Sequence, residues 1–201
     1  LLERKDLEIS LDFEFGKKNL LVTFHPVTLE YGSSAFQMSE LLKALRKLED
    51  THLIFTMPNS DTDGRVLFQM IEEFVAKNKH SKAYTSLGQL RYLSCIKYVD
   101  GVIGNSSSGL AEVPSFKKGS VNIGDRQKGR LKAESVIDCE ASHLDISHAL
   151  EKLFSLEFQQ NLQYITNPYG TGGASKKVVE IVENFAWAGK LKKKFYNLPF
   201  S

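Results

Sequence analysis

At 201 residues the chain is long enough for one large α/β domain with a substantial buried core. Its 26 Lys and Arg against 24 Asp and Glu leave a net charge of +2, so no basic field marks it for nucleic acid. No apolar run approaches a membrane span and no secretory leader pattern is present, so membrane partners are set aside and a cytoplasmic location is expected.

Taken in order, the chain begins at Leu1 inside helix-like sequence, as a piece of a longer protein would. Residues 5–11 read as a helix tail or linker, and residues 19–24 (NLLVTF) as a continuous apolar strand ended by His25-Pro26, because Pro26 cannot donate a ladder bond. A helix is expected over 34–48, with Ser34 and Gln37 at capping-box spacing and Met38, Leu41, Leu42, Leu45 and Leu48 on one face. A strand over 52–57 breaks at Pro58-Asn59 and a turn through Asp61, Asp63 and Gly64; Leu67, Met70, Ile71, Phe74 and Val75 then mark a second helix. Residues 83–86 form a weaker strand before a helix over 89–98 that carries Cys95. Cys95 and Cys139 show neither C-x-x-C nor zinc spacing and are expected to be reduced core thiols.

The stretch GVIGNSSSGLAEVPSF, residues 101–116, is the most informative. It reads as a buried strand, a hydroxyl-rich turn (Asn105, Ser106, Ser107, Ser108, Gly109) and a helix that opens there and carries Glu112. Free N–H groups and the positive dipole end at a helix start, together with hydroxyl donors and a close-approaching glycine, suit a phosphate. Glu112, one turn on, suits sugar hydroxyls; the plain alternative is a Ser-capped helix after a strand. A fifth strand (120–123) runs into the loop GDRQKGR, a sixth covers 135–138, and Ile146, Ala149, Leu150 and Leu153 mark another helix. Residues 167–175 (NPYGTGGAS) precede a helix over 176–185; they form either a second polar wall of the site or a C-cap followed by an N-cap. Strands alternating with helices, without runs of hairpins, predict a doubly wound, Rossmann-like parallel sheet.

In such sheets a ligand lies outside the carboxyl ends of the strands, near the switch in strand order. His25, Asn59, Ser106 to Ser108, and Arg126 with Arg130 all follow strand ends and would converge on one crevice. Each has a plainer reading: His25 as a loop cap, Asn59 as a turn residue, the arginines as solvated charges. A guanidinium in a tight loop can nevertheless grip phosphate through two bonds. Asp61 and Asp63 before Gly64 fit an Asx-type turn better than a metal site, and His143 and His148 miss the i, i+4 spacing of a two-histidine metal site, so no metal is expected. A P-loop and a G-x-G-x-x-G fingerprint are both missing. Gly104 and Gly109 stand five apart rather than the four of a nucleophile elbow, which leaves a serine hydrolase a poor third reading.

The segments LLVTFHPVTLE, MPNSD, GVIGNSSSGLAEVPSF, VNIGDRQKGR and NPYGTGGASKKVVEIVENF together resemble the UDP-N-acetylglucosamine 2-epimerases. They are most similar to the hydrolysing branch that makes N-acetylmannosamine for sialic acid, because Arg126-Gln127-Lys128-Gly129-Arg130 replaces the T-E-R-P of the non-hydrolysing branch. The match corresponds to the C-terminal half of a glycosyltransferase-B-like fold. The resemblance implies that residues 1–18 are an arm from a missing N-terminal domain, 19–185 the UDP-binding domain and 186–201 a crossover tail. It also implies that His25, Asn59, Ser106, Ser107, Glu112 and Arg126 contact the UDP part of the substrate. His25, also the catalytic candidate, and Arg126 would then face the diphosphate and Glu112 the ribose. Leu87 would line the uracil through its backbone, with Ser108, Gly109 and Arg130 as further candidates. No cofactor is implied. The proton-transfer carboxylates would lie in the absent N-terminal domain, and the full-length protein would be a homo-oligomer. Thr85 and Ser86 stand where animal bifunctional relatives carry a basic pair, so their feedback device is not expected here. Glycosyltransferases and 2-epimerases acting on a diacetamido-trideoxy sugar are the neighbouring alternatives. Phe185, Trp187, Leu191, Phe195 and Phe200 of the tail are interleaved with Lys190 and Lys192 to Lys194, and the aromatics among them would pack on the other domain.

Overall fold

Side chains of a strand alternate between the two faces of its sheet, and the apolar runs here bury both. The computed structural model describes residues 1–27, 33–58 and 64–186. Among them, β1 (Lys18–Thr23), β2 (Thr51–Thr56), β3 (Ser81–Tyr84), β4 (Gly101–Gly104), β5 (Gly119–Ile123) and β6 (Val136–Cys139) form one sheet of order β3-β2-β1-β4-β5-β6. Every pair is parallel, with Thr23 opposite both Thr56 and Gly104. The doubly wound parallel architecture expected from the strand–helix alternation is therefore present, and the order reverses between β1 and β4.

On one face, Leu20, Val22 and Phe24 of the β1 segment join Leu53, Phe55, Ile103 and Val121. They meet α2 (Ser33–Leu45), α3 (Gly64–Ala76) and α6 (His143–Phe154) through Met38, Leu41, Leu67, Ile71, Leu150 and Leu153. Leu21, Ile54 and Val102 point the other way, onto α1 (Arg4–Leu11) and α4 (Gly88–Tyr98) through Leu7, Leu11, Cys95 and Ile96. The arm expected over residues 1–18 is thus packed into the fold: Leu7 and Leu11 lie one turn apart and are both buried. Leu1–Tyr169 form one compact unit and Gly170–Ser201 a second, the division falling within the turn-rich loop over 167–175. In the second unit α8 (Ala174–Asn184) starts from Gly173 in the left-handed conformation. The tail residues from Trp187 onward, expected to pack on the other domain, lie outside the described residues.

Other local departures have simple causes. Ser34 is not a cap; it is buried within the first turn of α2, where its Oγ accepts the Val27 N–H at 3.4 Å. A short helix the periodicity did not announce, α7 (Leu156–Asn161), is started by Ser155, whose side chain accepts the Phe158 N–H. Cys95 and Cys139 are both free, and burial pushes each thiol up to about 12. Among the described residues no helix is long and apolar enough to cross a membrane.

One buried charge ties the helices of the first face together. Glu40 of α2 is only 5% exposed. Its Oε1 accepts from Lys43 Nζ at 2.6 Å, and its Oε2 faces both the N–H and Nδ1 of His143 at 2.8 and 2.7 Å, at the start of α6. The Lys43 bond first, then the two from His143, hold the carboxyl down to about 2 from its ordinary 4.5. A carboxyl depressed in the folded state contributes stability above pH 4.5 that is lost as pH falls toward 2. Glu40→Gln is therefore expected to be less stable at neutral pH and to lose less stability over that acid range. Urea midpoints measured against pH check this, and parallel acid limbs for the two proteins would contradict it.

Candidate functional site at the switch between β1 and β4

The crevice is built on a close approach of two backbones. Gly104 ends β4 with φ +143, and a Cβ there would stand 1.9 Å from the Thr23 carbonyl oxygen of β1. With no side chain at 104, the Asn105 N–H still reaches Thr23 O at 3.2 Å and carries the pairing one residue past the strands. Asn105 is fully buried. Its Oδ1 accepts the His25 N–H and its Nδ2 donates to the His25 carbonyl, both at 2.8 Å. The partners are one backbone donor and one backbone acceptor, so they fix which way the amide points. The turn after β4 thereby grips the turn after β1.

A third strand end joins them through the same residue. The Asn105 carbonyl accepts Gln127 Nε2 at 2.7 Å and Arg126 Nη1 at 3.2 Å. Gln127 is 1% exposed and anchors the loop after β5 over the tip of β4. Arg126 is exposed and forms no ion pair among the described residues. His25, half-buried, and Arg126 are thus brought to one place, with Ser106 and Ser107 following Asn105 directly. Sequence reasoning does not single out Asn105 or Gln127 as site residues. Asn105 was legible only as part of a polar turn, and nothing local distinguishes a buried Gln127 from its exposed neighbours.

The helix expected after the serine turn is cut short. α5 (Ser108–Ala111) is a single turn with Glu112 at its C-cap, followed by a 3₁₀ turn over Val113–Phe116. Pro114 lacks the N–H that would continue α5 and reshapes the chain there. So short a helix sums little dipole, which leaves the turn's N–H groups and hydroxyls as the donors it can offer. Ser106 Oγ accepts the Ser108 N–H at 3.4 Å, and the hydroxyl protons of Ser106 and Ser107 meet no acceptor among the described residues. Ser108 differs: its hydroxyl donates to Glu112 Oε2 at 2.5 Å, so it is not a ready phosphate donor. Gly109 is buried against Ser120, whose hydroxyl donates to the Gly109 carbonyl at 2.8 Å.

The remaining candidates separate. Leu87 precedes α4 with its side chain 3% exposed in the core and its carbonyl taken by Arg91 Nε at 2.9 Å, leaving its N–H as the backbone group available. Arg130 is exposed at the far end of its loop; its backbone N–H donates to the Gln127 carbonyl at 3.3 Å, and its side chain makes no bond to the Asn105 cluster among the described residues. Asn59, Asp61 and Asp63 lie outside the described residues. From the NPYGTGGAS loop, Asn167 Nδ2 donates to the Ala111 carbonyl and to Ser115 Oγ at 2.8 and 2.7 Å, which steadies the segment carrying Glu112. Among the described residues no group of three or more His, Cys, Asp or Glu side chains is placed to hold a metal ion.

This arrangement offers cationic and hydroxyl donors to an anion on one side and a carboxylate to neutral hydroxyls on the other. The sequence model of the UDP-N-acetylglucosamine 2-epimerase family matches residues 3–183. The chain is 44% identical over 161 residues to the GDP/UDP-N,N'-diacetylbacillosamine 2-epimerase (hydrolyzing) of Campylobacter jejuni, covering 80% of this chain and 41% of that protein. It is 37% identical over 194 residues to the polysialic acid biosynthesis protein P7 of Escherichia coli, covering 94% and 49%. The chain thus spans less than half the length of these curated relatives. Among solved structures, the fold matches the UDP-GlcNAc 2-epimerase of Neisseria meningitidis bound to UDP-GlcNAc with TM-score 0.65 at 18% identity, over 90% of this chain and 48% of that one. It also matches the C-terminal domain of a group 1 glycosyl transferase from Francisella tularensis with TM-score 0.53 at 14% identity, over 84% and 90%.

Proposed function

Because the chain belongs to the UDP-N-acetylglucosamine 2-epimerase family, we propose that it is the nucleotide-holding half of a hydrolysing 2-epimerase acting on a UDP-activated 2-acetamido sugar. The observation that carries this reading is the joining of His25, Asn105 and Arg126 at the switch point, beside the uncommitted hydroxyls of Ser106 and Ser107. In the reaction the C1–O bond breaks, the proton at C2 is removed and UDP departs. Water then adds across the resulting double bond and gives the free sugar with C2 inverted. Negative charge accumulates on the departing diphosphate, and fixed donors around it lower that barrier by about 3 kcal/mol for each well-placed group. His25, Ser106, Ser107 and Arg126 supply those donors, the Leu87 N–H lines the uracil, Glu112 takes the ribose, and Asn59 is a further expected contact of the UDP part.

Two sugars fit this reading. UDP-N-acetylglucosamine would yield N-acetylmannosamine for sialic acid, in line with the 37% relative named for polysialic acid synthesis. A UDP-diacetamido-trideoxy sugar fits at least as well and is favoured by the 44% relative. Neither requires a resident cofactor, and both are cytoplasmic sugar-nucleotide chemistry.

The 201-residue chain itself is expected to bind UDP weakly and to leave both sugar nucleotides intact, because among the described residues its crevice presents donors for the leaving group and no paired carboxylates for C2. Calorimetry with UDP against ADP tests the binding. Mass spectrometry of either substrate incubated with the chain tests turnover, and with the full-length protein it names the sugar. Equal affinity for UDP and ADP, or clear release of free sugar by the chain, would overturn this assignment.

A further inference from the structure

The hydroxyl proton of Ser108 has a definite destination, Glu112 Oε2 at 2.5 Å, one turn further along α5. We propose that Ser108 is a positioning residue that holds the Glu112 carboxylate toward the ribose hydroxyls of a bound nucleoside diphosphate. The proposal rests on the UDP reading of the crevice and adds to it the residue that makes Glu112 selective.

Glu112 needs such a hold. It is exposed, sits where α5 ends, and forms no ion pair among the described residues, so its long side chain would otherwise sample many rotamers. Ser108 is a firm base for it. The serine is 9% exposed, and its carbonyl accepts the Glu112 N–H at 2.9 Å. The next residue, Gly109, is held to β5 by the Ser120 hydroxyl. Behind Ser108 lies the buried hydroxyl of Tyr92 from α4, close to Ser108 and Thr23 but without hydrogen-bond geometry to either. Burial pushes the Tyr92 phenol above its ordinary value, against the opposing influence of the Ser108 and Thr23 hydroxyls, so that neighbour stays protonated at neutral pH. Ser108 therefore has no anionic competitor for its proton on the inner side.

The chemistry also says what Glu112 reads. A carboxylate beside a diphosphate is repelled by it and can only accept, so its partners are neutral donors. With one oxygen oriented by Ser108, Oε1 and the second lone pair of Oε2 remain for a vicinal pair of hydroxyls. A ribose provides that pair on the same molecule whose phosphates occupy the serine turn.

The test titrates UDP and 2′,3′-dideoxy-UDP into the protein and into Ser108→Ala and Ser108→Thr, with melting temperatures as a folding control. Wild type is expected to prefer UDP, Ser108→Ala to lose roughly five- to tenfold of that preference while keeping its affinity for the dideoxy nucleotide, and Ser108→Thr to restore it. An unchanged preference in Ser108→Ala, or an equal loss for both nucleotides, would overturn the positioning role and leave the UDP reading standing. Failure of wild type to bind UDP, or to prefer it to the dideoxy form, would overturn the ribose assignment and this inference with it.

Discussion

Gly104→Ala is expected to cost about 3 kcal/mol or more and to abolish measurable UDP binding. The residue holds φ +143, where an L side chain is strained whatever the space around it. Space is lacking too, since the added Cβ would meet Thr23 O at 1.9 Å and Thr23 C at 2.6 Å. Both are backbone atoms in the middle of the sheet, so no rotamer change relieves the contact. Relief requires β1 and β4 to separate where Thr23 pairs with Gly104, and the bond from Asn105 N to Thr23 O goes with them. Chemical denaturation reads the stability and calorimetry the binding. A wild-type denaturation midpoint would contradict the close approach itself.

Asn105→Ala is expected to be nearly as damaging, by about 2–4 kcal/mol, because it removes the two side-chain bonds that hold the His25 backbone and leaves a cavity in a fully buried place. Asn105→Asp separates geometry from charge. It keeps an acceptor for the His25 N–H, loses the donor to the His25 carbonyl, and sets a negative charge under the turn proposed to hold a diphosphate. Its UDP affinity is accordingly expected to fall by tenfold or more relative to wild type, through repulsion added to the lost bond. Denaturant midpoints and UDP titrations on both variants check this. An Asp variant that binds UDP as wild type does would show that the diphosphate lies elsewhere.

Both changes act on residues that matter through what they join. Asn105 lies 80 residues from His25 and 22 from Gln127, yet it contacts both. The site is in this sense a meeting of three strand tips on one buried amide, with the charged and hydroxyl groups arranged around it. His25 and Arg126 were foreseen as functional candidates because each follows a strand whose apolar run is plain. What holds them together was not foreseen.

The sequence alone determined the things that neighbouring residues decide. The apolar runs of β1 and β4, the helical rows of α2 and α3, the strand–helix alternation and hence the parallel doubly wound class all follow from periodicity and from breakers such as Pro26. Five segments in order also identified the family. Tertiary structure decided the rest: the reversal of strand order at β1 and β4, the packing of α1 onto the sheet, the shortening of α5 before Pro114, and the turning of Ser108 away from a phosphate role toward Glu112. The physical reason is range. Periodicity and turn chemistry are properties of adjacent residues, whereas a buried polar group takes its partner from whatever the folded chain brings within 3 Å, tens of residues away.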